Sequence, residues 1–214
     1  MKKGLTEMVF ILDRSGSMSG REKDTIDGFN ALIENQKKED GEALVSVVLF
    51  NSNSKVLYDR VPLDKIEPMN ERQYTVGGTT ALLDAIGGAV RHMGVIHKYA
   101  REEDVPEHTI FVIATDGMEN ASRHFTVEEI KAKIEKRREK NGWEFVFSGA
   151  NIDSFATAGA FGINPCNIAD FTADAKGIGR LFGALDRKIC YSRKGINAGT
   201  RKWAEESDKD RDDK

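Results

Sequence analysis

At 214 residues, 39% hydrophobic and 31% charged, the chain is ordinary for a soluble protein, with enough length for one large domain or at most two small ones. A formal net charge of −3 argues against a nucleic-acid binder, whose footprint should be basic. Its two cysteines, Cys166 and Cys190, form no CxxC and show no metal-ligand spacing, so they read as free thiols.

The opening run "MKKGLTEMVFILDRS" is apolar only briefly before Asp13 ends it. It is too short for a signal segment, and no other stretch approaches a membrane span, which predicts a cytoplasmic protein with no membrane partner. Within it, "EMVFIL" (7–12) reads as a buried strand. Ser19 followed by Glu22 has the pattern of a capping box, which predicts a helix from about Gly20 to Lys38 burying Ile26, Phe29, Leu32 and Ile33. "ALVSVVLFN" (43–51) and "SKVLYDRV" (54–61) read as a hairpin around a tight polar turn. Residues 62–78 are irregular. A helix from Ala81 to about Ala100 carries Leu82, Ala85, Ile86, Ala89, Val90 and Met93 on one face.

"HTIFVIATDG" (108–117) is the most continuous apolar run and predicts a central strand buried on both sides. Thr126 and Glu129 form a second capping-box pattern, and the helix behind it should stop at Asn141-Gly142. A strand at 143–151, a short helix around 153–161, a brief strand near "NIADF" and a helix over 174–190 follow. The charged end "RKWAEESDKDRDDK" has little to bury, so residues 200–214 read as a disordered tail and 1–199 as a single domain. The alternation predicts an α/β fold: a three-layer, Rossmann-like, doubly wound and mainly parallel sheet with one antiparallel hairpin strand. In such sheets ligands bind at the carboxyl ends of the strands.

Two polar clusters fall on that edge. Asp13, Ser15 and Ser17 follow the first strand at alternate positions, and Asp116 follows the central one. A phosphate cradle would need a Gly-rich loop with a Lys, and "GSMSG" supplies neither the Lys nor the spacing. A nucleophile elbow G-x-S-x-G fails because Met18 stands where the serine belongs. An aspartyl-phosphate site would want a second acid where Ser15 stands. A cation site survives, because hydroxyl and carboxylate oxygens are hard ligands suited to Mg²⁺, Mn²⁺ or Ca²⁺. Asn120, Asn151 and Asp153 also follow strands on this edge. The four histidines show no ligand pairing, and "KAKIEKRREK" reads as a solvated helix face.

"DRSGSM", then "GGTTALLDAI", then "ATDG", in that order and spacing, resembles the von Willebrand factor A domain with its metal-ion-dependent adhesion site, written D-x-S-x-S, T, D. The resemblance covers roughly residues 5–190 and suggests a small stand-alone domain of bacterial type. It implies metal ligands at Asp13, Ser15, Ser17, Thr80 and Asp116, with Thr79 as the alternative threonine. It implies Mg²⁺, with Mn²⁺ or Ca²⁺ as alternatives; few charges in an open site predict weak affinity, about 10⁻⁴ to 10⁻³ M as in weak calcium modules. The implied function is a non-enzymatic module that recognises the Asp or Glu of a protein partner through the metal. The alternatives are a metal-dependent phosphoester hydrolase and a structural subunit with a non-functional site.

Overall fold

The computed structural model describes residues 1–196 and 203–204. Among them are six strands: β1 (Lys2–Asp13), β2 (Glu42–Phe50), β3 (Ser54–Pro62), β4 (Pro106–Thr115), β5 (Glu144–Gly149) and β6 (Ile168–Asp170). Five α-helices alternate with them: α1 (Glu22–Gln36), α2 (Leu82–Tyr99), α3 (Val127–Asn141), α4 (Ser154–Ala160) and α5 (Ala175–Arg193). The sheet order is β3-β2-β1-β4-β5-β6, with only the β2–β3 hairpin antiparallel. The chain therefore winds one way from β1 and the other way from β4. The point of reversal lies between these two strands, so their carboxyl ends form the crevice where an open α/β sheet binds ligands.

Strand alternation divides the core. Met8, Phe10 and Leu12 of β1 face Phe29 and Leu32 of α1 and Leu181 and Leu185 of α5. Val9 and Ile11 face the opposite layer, with Ile86 and Val90 of α2 and Ile130 and Ile134 of α3. All six apolar positions expected on one face of α2 are buried. The Thr126–Glu129 capping box opens α3, and Gly142 closes it in the left-handed region at φ 64°. The rest of α3 is mainly solvated, as its charge run suggested.

Three local expectations are corrected. Ser19 does not cap α1; it ends a one-turn 3₁₀ segment (Gly16–Met18), and α1 starts only at Glu22 behind Arg21. The turn is needed to sink Met18 into the core, and it displaces the helix start. β1 begins at Lys2 rather than Glu7, because Glu7 can be fully buried within it. Its two carboxylate oxygens accept from Arg60 Nε at 2.6 Å and face His97 Nε2 at 2.5 Å. Such partners offset the desolvation of the charge. Finally, the tail expected at 200–214 lies outside the described residues except for Trp203 and Ala204. Trp203 is fully buried in the core, and its Nε1–H donates to the Cys166 carbonyl at 2.8 Å. No helix among the described residues is long and apolar enough to cross a membrane.

Candidate metal site

β1 delivers Asp13 at its last position, paired in register with Phe50 of β2. The Asp13 Oδ1 accepts the Ser15 backbone N–H at 2.7 Å, a local turn that an Asp favours, and this aims Ser15 back toward the crevice. Met18 anchors the turn from below while Ser17 stays on the outer side. The Ser15 and Ser17 hydroxyl oxygens lie 2.9 Å apart.

The loop before α2 is sewn to this turn. Gly16 N–H donates to Gly78 O at 3.0 Å, and Gly77 N–H donates to Arg14 O at 2.9 Å. Gly78 sits at φ 80°, where an added Cβ would also lie 2.6 Å from Ser52 Oγ, so glycine is required there. Tyr74, almost wholly buried, donates its hydroxyl to the Asp13 carbonyl. Thr80 is clamped from the other side, since its N–H donates to Asn120 Oδ1 at 2.9 Å and its carbonyl accepts from Asn120 N at 3.0 Å. Glu119 accepts the Leu83 N–H at 2.9 Å, which fastens the third loop to the first turn of α2.

The third loop carries Asp116 just past β4. Ser17 Oγ donates to Asp116 Oδ1, and Thr115 Oγ1 donates to Asp13 Oδ2 at 2.6 Å. Gly117 then supplies the decisive observation. A Cβ at this residue would lie 2.9 Å from Thr80 Oγ1, 3.1 Å from Ser17 Oγ and 3.6 Å from Ser15 Oγ. Three hydroxyl oxygens from two separate loops, Ser15 and Ser17 from one and Thr80 from the other, thus surround a space kept open by one missing methyl group, with the carboxylates of Asp13 and Asp116 hydrogen-bonded to its walls. Thr79 points elsewhere, its Oγ1 lying 2.8 Å from Ser52 Oγ.

The residues present fit a hard divalent cation, because every side-chain donor in this set is an oxygen and two of the five carry charge. Asp13, Ser15, Ser17, Thr80 and Asp116 would hold it, and it would supply a Lewis-acidic position for an oxygen anion. Among the described residues no three His, Cys, Asp or Glu are placed to hold a metal ion together, and in this set three of the five side chains are hydroxyls.

Two carboxylates in one crevice leave an electrostatic signature. Burial pushes the Asp13 carboxyl above its ordinary value, hydrogen bonds from Thr115 and Ser15 oppose the shift, and the charge of Asp116 adds to it. A folded-state pKa above the unfolded one means that ionisation disfavours the fold. In chelator, the Asp13 contribution should therefore be most favourable below about pH 4 and should be lost as pH rises through the raised value. Urea melts in EDTA from about pH 4 to 7 should show this slope in the native chain and a flatter one in Asp13→Asn. Equal slopes in the two would contradict it.

Arg21 is the site residue that sequence reasoning missed. Its Nη1 pairs with Asp116 Oδ2 at 2.5 Å and its Nε donates to Ala173 O at 2.8 Å. The guanidinium thus neutralises Asp116 and ties it to the loop before α5. No local pattern marks it. Thr115 and Gly117, by contrast, flank Asp116 within "ATDG" and were open to notice. Asp153 is an N-cap, accepting from Ala156 N at 2.9 Å, and Asn151 lies on the open rim with φ 55°.

No protein-family model matches the chain, and no curated protein is similar to it in sequence. Solved structures do match. Proximal thread matrix protein 1 from the mussel byssus, with its MIDAS motif occupied by zinc, is 16% identical at a TM-score of 0.60, covering 87% of this chain and 46% of that one. The manganese-loaded TRAP protein of Plasmodium vivax is 19% identical at 0.57, covering 85% and 73%. A von Willebrand factor type A protein from Catenulispora acidiphila is 15% identical at 0.55, covering 89% and 43%. The chain spans about half the length of the mussel protein it matches. At these identities the likeness is one of fold: over 85–89% of its length the chain has the fold of a von Willebrand factor type A domain.

Proposed function

We propose that this chain is a metal-dependent protein-binding module without turnover of its own. Asp13, Ser15, Ser17, Thr80 and Asp116 hold one divalent cation, Mg²⁺ in the cell, and an Asp or Glu of a partner protein completes its coordination. The observation that carries this reading is the convergence of the Ser15, Ser17 and Thr80 hydroxyls on the space beside Gly117. Neutral hydroxyls leave the cation under-neutralised toward the outside, which favours an incoming carboxylate. The zinc- and manganese-bearing neighbours on the same fold support a divalent ion of this general kind. Met118, 73% exposed beside Gly117, gives the rim an apolar contact of the sort that protein interfaces bury. A cytoplasmic setting, in which Cys166 and Cys190 stay reduced, completes the proposal.

The two threonines provide the test. Thr80→Ala should weaken Mn²⁺ binding, followed by electron paramagnetic resonance, by about tenfold or more, consistent with loss of one oxygen ligand at about 1.4 kcal/mol. Thr79→Ala should leave it within about twofold, because only Ser52 loses a partner. In parallel, proteins retained from lysate in Mg²⁺ should be released by chelator and lost with Thr80→Ala. Equal Mn²⁺ affinities in the two variants, or retention indifferent to chelator, would reject the assignment.

A further inference from the structure

A groove adjoins the site. Between the β2–β3 turn, the outer face of α2 and the loop at 121–125 runs a groove of ≈ 900 Å³ that opens at Thr79, next to Thr80. Asp84, Gly88 and Arg91 line it from α2, spaced as one helix face, and Arg123 and His124 line it from the opposite wall.

Its charge is one-sided. Among the described residues Asp84 is the only carboxylate on the wall, and its two oxygens accept the backbone N–H groups of Arg123, His124 and Phe125 at 2.9, 2.9 and 3.1 Å. That carboxylate is engaged in holding the loop. Arg91 and Arg123 are exposed, and among the described residues neither is in an ion pair. Such free guanidinium groups are the usual counterparts of carboxylates presented by a partner. The floor is open at Gly88, where an added Cβ would meet nothing within 4 Å.

We propose that this groove binds an acidic peptide segment of the partner in extended form. One carboxylate goes to the cation, and a second, downstream, goes to Arg91 and Arg123. The inference rests on the metal-dependent reading above and extends it to the partner's sequence. Spacing follows from geometry. Arg91 lies nine residues into α2 (91 minus 82), about 14 Å along its axis at ~1.5 Å per residue. An extended peptide covers that length in about four residues at ~3.3 Å each. The partner motif is therefore a pair of acids three to five residues apart.

Fluorescein-labelled Ser/Gly/Ala peptides bearing one glutamate, or a second glutamate three, four or five residues to either side, test this by fluorescence polarisation in Mn²⁺ and in EDTA. At least one two-acid spacing should bind about tenfold tighter than the single-acid peptide in Mn²⁺, as expected for one added charge-assisted contact. The gain should vanish in Arg91→Gln/Arg123→Gln. It should also vanish in Gly88→Gln, whose side chain enters the groove, while Mn²⁺ affinity stays within about twofold in both variants. Single-acid binding with no gain at any spacing, or a gain that survives in these variants, overturns the groove assignment alone. Failure of every peptide in Mn²⁺ overturns the acid-recognition reading and this inference with it. Cation-independent binding of a thymidine oligonucleotide, lost with both arginines, would reassign the groove to nucleic acid.

Discussion

Gly117→Ala should abolish cation binding while leaving the domain folded. The added methyl group occupies the space between Thr80 Oγ1, Ser17 Oγ and Ser15 Oγ, at 2.9, 3.1 and 3.6 Å. A cation sharing those oxygens has no room beside it. Gly117 is not among the positive-φ glycines, so an alanine can adopt its backbone, and the cost comes from crowding alone. Overpacking of this size destabilises by about 1–2 kcal/mol. The loss of cation affinity should be larger, about 100-fold or ~2.8 kcal/mol at 1.4 kcal/mol per decade. Calorimetric Mn²⁺ titration beside a urea melt separates the two effects. Native cation affinity in this variant would mean that the ion sits elsewhere, and the assignment of Ser15, Ser17 and Thr80 would fail with it.

Trp203→Ala should produce the largest loss of stability in the molecule without touching that site. The indole is fully buried against the α1–α5 side of the core, and removing a buried Trp costs about 3–5 kcal/mol. Its Nε1–H also satisfies the Cys166 carbonyl, and Arg187 Nη2 reaches the Trp203 carbonyl at 3.1 Å. Cys166 precedes β6, so this contact lies at the amino end of that short edge strand, away from the carboxyl ends of β1 and β4 that form the cation crevice. Urea denaturation should show the full loss, with Trp203→Phe recovering most of it and forfeiting about 1 kcal/mol for the hydrogen bond. Mn²⁺ affinity should stay within about twofold in both variants. A loss below about 1 kcal/mol would mean that the side chain does not pack there.

The two predictions bear differently on how legible the chain was. The strand–helix order came from periodicity, which is local: β4 is continuous apolar residues, α2 repeats them at three and four, and α3 is bracketed by Thr126 and Gly142. The oxygen donors were legible because they stand at the ends of those elements. Asp13 and Asp116 need only follow parallel strands to meet on one edge. Trp203 was misjudged because it is a lone aromatic in a charged run, and a single residue has no period. Glu7 was misjudged for the converse reason, since a carboxylate is a reasonable place to begin a strand until Arg60 and His97 are known to reach it. The Ser19–Glu22 pattern matched a capping box that the turn geometry overrode.

By itself the sequence determined the fold class, the carboxyl-edge placement of Asp13, Ser15, Ser17 and Asp116, and the hard-oxygen character of the donors. Only the folded chain decided which threonine turns inward, that Arg21 neutralises Asp116 across 95 residues, and that Thr115 supports Asp13 across 102. The reason is range. Backbone propensity and side-chain periodicity act over a few neighbouring residues and leave a repeating trace. A hydrogen bond between distant loops requires one pair of atoms at one distance, and that distance exists only once the sheet between them has formed.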